Sequence, residues 1–84
     1  MDNNLRKINK GGVLSSEGWS IQVTHPEILE YRISNTVIVV NLDYDPNTRT
    51  VNVYATEAQS DQCPNLKNHI QSAVSLLKGS FRVL

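Results

Sequence analysis

Two neighbouring stretches, Ile28 to Asp43 and Thr50 to Thr56, alternate apolar with polar residues at a period of two. A strand sends successive side chains to opposite faces, so this pattern restricts both stretches to a half-buried antiparallel sheet and lets the strand registers be read directly. Leu29, Tyr31 and Ile33 share one apolar face, and Ser34-Asn35 supplies a two-residue turn into Thr36 to Tyr44. Closing the hairpin there sets Tyr31 opposite Ile38 and Leu29 opposite Val40. Asp45-Pro46-Asn47-Thr48 carries Asp and Pro at the first two positions of a type I turn, which predicts Tyr44 opposite Arg49. In that register Leu42 faces Val51, Val40 faces Val53 and Ile38 faces Ala55, whereas a slip of one residue would oppose Leu42 to Asn52.

Upstream, Trp19 to Thr24 alternates in the same way, with Trp19, Ile21 and Val23 on one face. His25-Pro26-Glu27 interrupts the pattern, because proline has no N–H for a ladder and disfavours helical backbone before it. Val13 and Leu14 are expected as a short edge strand, and the polar residues 1–12, ending in Gly11-Gly12, as a flexible arm. After Glu57 the alternation stops. Pro64 suits a first helical position, Leu66, Ile70, Ala73, Val74 and Leu77 make a helical stripe, and Gly79 suits the C-terminal cap. Phe81 and Val83 form a short tail or an extra edge strand.

The expected architecture is α+β: a four-stranded antiparallel β-meander with one C-terminal α-helix packed across one face, in two layers. Residues 1–84 form a single domain, with the arm at 1–12, the meander at 13–57 and the helix at 64–78. A chain of 84 residues supports one modest core and no large ligand cavity.

Formal net charge is zero, divided as +2 over residues 1–16, −5 over residues 17–61 and +3 over residues 62–84. Nucleic-acid affinity scales with clustered Lys and Arg, and the eight basic residues here are scattered, so nucleic acid is disfavoured as a partner. The single Cys63 excludes an internal disulfide framework and fits a reducing compartment. The opening MDNNLRKINKGG has no apolar run of signal-peptide length, and no stretch reaches the ~20 apolar residues of a membrane span, so cytoplasmic residence and no membrane partner are expected.

Catalytic and ligand signatures are missing. One Cys and two His are too few for a tetrahedral zinc site, and Asp43, Asp45, Glu57 and Asp61 lack the alternating spacing of a calcium loop. Cys63 before a helix sits where a thiol can be activated, yet the spacing to His69 gives it no obvious base; packing at a helix end is the simpler account. No cofactor, metal or catalytic residue is assigned.

The reverse of the sheet is the remaining candidate. Glu30, Arg32, Val37, Val39, Asn41, Asp43, Asn52 and Tyr54 point away from the helix, with Val39 flanked by Glu30 and Tyr54 in the expected register. Two valines and a tyrosine within a polar rim have the anatomy of a moderate protein interface. β-branched residues also favour strands whatever their function. The expectation is a non-enzymatic protein-binding module, of the kind of a small bacterial or phage inhibitor or immunity-type protein, whose partner is a toxin or enzyme with a basic surface. The alternatives are a homodimer built on the same face and, with only Tyr54 to stack on, a single-stranded RNA platform.

Overall fold

The computed structural model describes residues 4–84. Its centre is a single seven-stranded sheet in sequence order: β1 (Leu5–Asn9), β2 (Gly12–Ser15), β3 (Ser20–His25), β4 (Ile28–Ile33), β5 (Thr36–Asp45), β6 (Thr50–Tyr54) and β7 (Ser80–Val83). The sheet curls into a half-barrel, and two short helices, α1 (Glu57–Gln62) and α2 (Leu66–Val74), lie between β6 and β7. The expected four-stranded meander with one helix is therefore corrected at both ends and in the helical segment.

At the N-terminal end, β1 stands where an arm was expected and forms a hairpin with β2, which makes the strand expected at Val13 and Leu14 an interior one paired to β3 rather than an edge. Residues 1–3 of that arm lie outside the described residues. The alternation was hidden because the hairpin carries a bulge between Lys7 and Asn9, and because glycine occupies a strand position. A Cβ at Gly12 would meet Gln22 Oε1 and Asn9 Oδ1, so a larger residue there has to push these two side chains aside. Those two side chains lock the strands together through Asn9 Nδ2 to Gln22 Oε1 at 2.9 Å and Gln22 Nε2 to Asn9 Oδ1 at 3.1 Å.

At the other end, Ser80–Val83 joins as a parallel edge strand, with Val51 opposite Phe81 and Val53 opposite Val83. A parallel neighbour needs a crossover, and the helical segment supplies it. That segment is two helices rather than one over residues 64–78. Thr56 caps α1 by a reciprocal box with Gln59: Gln59 N–H donates to Thr56 Oγ1 at 3.1 Å, and Thr56 N–H donates to Gln59 Oε1 at 3.0 Å. Pro64 precedes the N-cap, Asn65, instead of opening the helix. Nine-residue α2 spans about 14 Å. Beyond it the chain tightens into i→i−3 bonds, from Leu76 N–H to the Ala73 carbonyl and from Leu77 N–H to the Val74 carbonyl, which keeps Leu77 in the core.

The β4–β5 register is as expected, with Tyr31 opposite Ile38 and Leu29 opposite Val40. The β5–β6 register is shifted by two: Asp45 pairs with Thr50, so Leu42 faces Val53 and Tyr44 faces Val51. The turn explains the shift. Asp45 Oδ1 accepts from Asn47 N–H at 2.9 Å, and Arg49 adopts a left-handed φ of 55°, so the four loop residues are Pro46 to Arg49. A shift of two preserves parity, and both strands keep the faces their alternation assigned.

The inner face packs on α2 in one core: Val13, Trp19, Ile21, Leu29, Tyr31, Ile38, Val40, Leu42 and Val53 against Leu66, Ile70, Ala73, Val74 and Leu77. Each large side chain in it contributes about 1.5 to 3 kcal/mol before conformational entropy is subtracted. No helix among the described residues is long and apolar enough to cross a membrane.

A candidate protein-binding face

The outer face is the side of the sheet away from α2. On it Val37 and Val39 are each 48% exposed and Tyr54 is 42% exposed, although all three lie in the middle strands. β5 carries Val37, Val39, Asn41 and Asp43 on this side because its even-numbered residues Ile38, Val40 and Leu42 are buried. Glu30 and Arg32 flank the valines from β4, joined by a 3.1 Å ion pair from Arg32 Nη2 to Glu30 Oε1. With Arg32 59% and Glu30 27% exposed, solvent screens the pair and it adds little stability.

The shifted register rearranges the neighbours of Tyr54. It lies beside Asn41, which has Ile28 on its other side, and not beside Val39. The rows across the face are Arg32 with Val37, Glu30 with Val39, Ile28 with Asn41 and Tyr54, and Asp43 with Asn52 and Arg82. All eight residues named from sequence therefore share the face, which the structure lengthens along the strands. Ile28 and the exposed Arg82 join them unforeseen. The alternation of Ser80-Phe81-Arg82-Val83 was the available signal for Arg82.

β6 stops at Tyr54, so the first half of β5 has no strand on that side. The side chain of Gln59 takes the place of one ladder bond, its Nε2 donating to the Val39 carbonyl at 2.7 Å. One residue thus caps α1 and covers the backbone beneath the centre of the apolar patch.

On the inner face the structure assembles a second group of chemically capable side chains. His69 stacks on Trp19, with ring centroids 4.2 Å and planes 8° apart, and His69 Nδ1 lies 2.7 Å from the Tyr31 hydroxyl. Burial, and then the neighbouring Cys63, push the Tyr31 phenol up to about 12. Trp19 Nε1 is buried without a hydrogen-bond partner. Cys63 is half-buried at the approach to α2, and His69 is engaged with the aromatic pair. Neither residue's neighbours could be read from sequence, because β3, β4 and α2 meet only in the folded chain. No group of three His, Cys, Asp or Glu side chains capable of holding a metal ion occurs among the described residues.

Comparison with protein-family models, with curated proteins and with solved structures finds no match to this chain.

Proposed function

We propose that this chain is a non-enzymatic protein-binding module that engages its partner through the outer face of β4, β5 and β6. The observation that supports this reading is the half-exposed apolar strip of Val37, Val39 and Tyr54 on strands whose opposite side chains are buried. A rim of Glu30, Arg32, Asn41, Asp43 and Asn52 surrounds it, which matches an interface with an apolar centre and polar edge. The net charge of −5 over residues 17–61 favours a partner with a basic surface, by steering its approach. An inhibitor that covers a basic cleft is the form of binder this combination suits best.

The test is affinity capture from the source cells with the wild-type chain, Val39→Lys and Tyr54→Ala, each checked for an unchanged thermal transition. A specific partner retained by the wild type is expected to be lost from Val39→Lys. Binding to Tyr54→Ala should weaken by about 2 kcal/mol if Tyr54 anchors the contact. Equal capture by all three chains rules out this face.

A further inference from the structure

Both outer edges of the sheet are protected against pairing with another chain. β1 carries Arg6, Lys7 and a bulge, and β7 is only four residues long with Arg82 among them. The first half of β5 has no such protection. The β6 register ends at the Asn41–Tyr54 pair, so Thr36-Val37-Ile38-Val39-Val40 has no strand on that side among the described residues. This stretch holds no charge, proline, glycine or bulge, and all of it is β-branched, the composition that pairs most readily.

The backbone groups facing the gap are those of the odd-numbered residues. Leu42 N–H donates the other way, to the Glu27 carbonyl at 2.9 Å, whereas the Val39 carbonyl accepts from Gln59 Nε2 at 2.7 Å. The N–H and C=O of Val37 and the N–H of Val39 therefore point where a further strand would lie, and Gln59 supplies one of the donors such a strand would bring. This cover is lightly held. α1 buries none of its residues, and the Ser60 hydroxyl is buried without a hydrogen-bond partner.

The strand that fits this gap is β5 of a second copy. Paired antiparallel about a two-fold axis at Ile38, the segment sets Val37 opposite Val39 of the other copy and Ile38 opposite its counterpart, and each Val37–Val39 pair exchanges both of its ladder bonds. The rows that meet at the seam run Arg32-Val37-Val39-Glu30, so no like charges face each other, and a formal net charge of zero leaves the two copies without mutual repulsion.

We propose that two copies of this chain join edge to edge along Thr36 to Val40 into one continuous sheet, with Gln59 yielding the Val39 carbonyl to the incoming Val37 N–H as α1 moves off the edge. Each copy uses up its open edge, so assembly closes at two. The contact lies on the strand edge and does not depend on a partner at the outer face.

Sedimentation equilibrium from about 1 μM to about 1 mM protein, the range of weak to moderate association, tests this with the wild-type chain and Gln59→Ala. Gln59→Ala is expected to dimerise with a dissociation constant about tenfold below that of the wild type, because the pair no longer gives up two side-chain hydrogen bonds. Val37→Pro removes a donor from the seam but none from the β4–β5 ladder, and combined with Gln59→Ala it should return the chain to a monomer. If that variant does not fold, the Val37 amide of Gln59→Ala decides: its exchange should slow as the concentration rises. Monomers throughout in both chains, a dimer that survives Val37→Pro, Val37 exchange indifferent to concentration, or growth beyond two copies overturns the edge pairing.

Discussion

The Gln59 side-chain amide donates to the carbonyl of Val39 at 2.7 Å, tying the first turn of α1 to the strand edge under the exposed valines. The same side chain accepts from Thr56 N–H, so one residue serves helix, connection and sheet. Gln59→Ala removes both bonds and leaves the edge open. A loss of about 1 to 2 kcal/mol is expected in chemical denaturation, the scale of a lost helix cap together with one hydrogen bond. Gln59→Glu keeps the acceptor but not the donor and should fall between alanine and wild type. Equal stability of the alanine variant would show that neither bond contributes.

Stability at alkaline pH should report on Tyr31. Its phenol is pushed up to about 12 by burial first and by Cys63 second, against the ordinary value of 10.0. The unfolded chain loses this proton at lower pH than the folded chain does. The contribution of Tyr31 is therefore complete below pH ~10 and disappears as pH rises from there through about 12. Phenolate absorbance should show the ionisation of Tyr31 coinciding with unfolding. Tyr31→Phe should remove the unfolding-linked step.

Helix α2 offers a matched pair of substitutions. Ile70 is fully buried against the sheet, and Leu76, just past the helix, is 40% exposed. Ile70→Ala should cost about 2 to 5 kcal/mol, as a cavity in a close-packed core does. Leu76→Ala should stay within about 0.5 kcal/mol of wild type. Urea midpoints of the two variants measure the difference, and similar midpoints would contradict the docking of α2.

The β1–β2 hairpin depends on Gly12. Gly12→Ala should force Gln22 and Asn9 apart and break their paired amide bonds, because the added methyl occupies the space their oxygens fill. About 1 to 2 kcal/mol of stability should be lost, the scale of one or two exposed hydrogen bonds with some strain. Amide exchange in β1 should accelerate more than in β4 or β5, which locates the damage at this edge.

The middle strands were legible because each buries one face against a core, and a one-residue error would have exposed an entire apolar row. Thr36 to Tyr44 was placed to within one residue of the observed end at Asp45, and its outer side chains are those the alternation named. The β5–β6 register was misplaced by two because parity is all that the pattern conveys; the loop was settled by the Asp45 side chain and the left-handed Arg49. The flanking strands were less legible, β1 being taken for an arm and β7 left open between a tail and an edge strand. A bulge and Gly12 interrupt β1–β2, and four residues at the chain end gave β7 too little pattern to distinguish a tail from a strand. The box at Thr56 and Gln59 was a readable helix start.

Local chemistry along the chain thus determined the central strands, which face of each is apolar, and that Val37, Val39 and Tyr54 lie on the side opposite the core. Those properties repeat every two residues, and each short segment carries its own copy. Tertiary structure alone decided that the sheet extends to seven strands, that Gln59 covers the edge at Val39, and that His69 meets Trp19 and Tyr31. Each of those contacts joins segments that no local period relates, and it exists only because the crossover brings the helices back across the curled sheet.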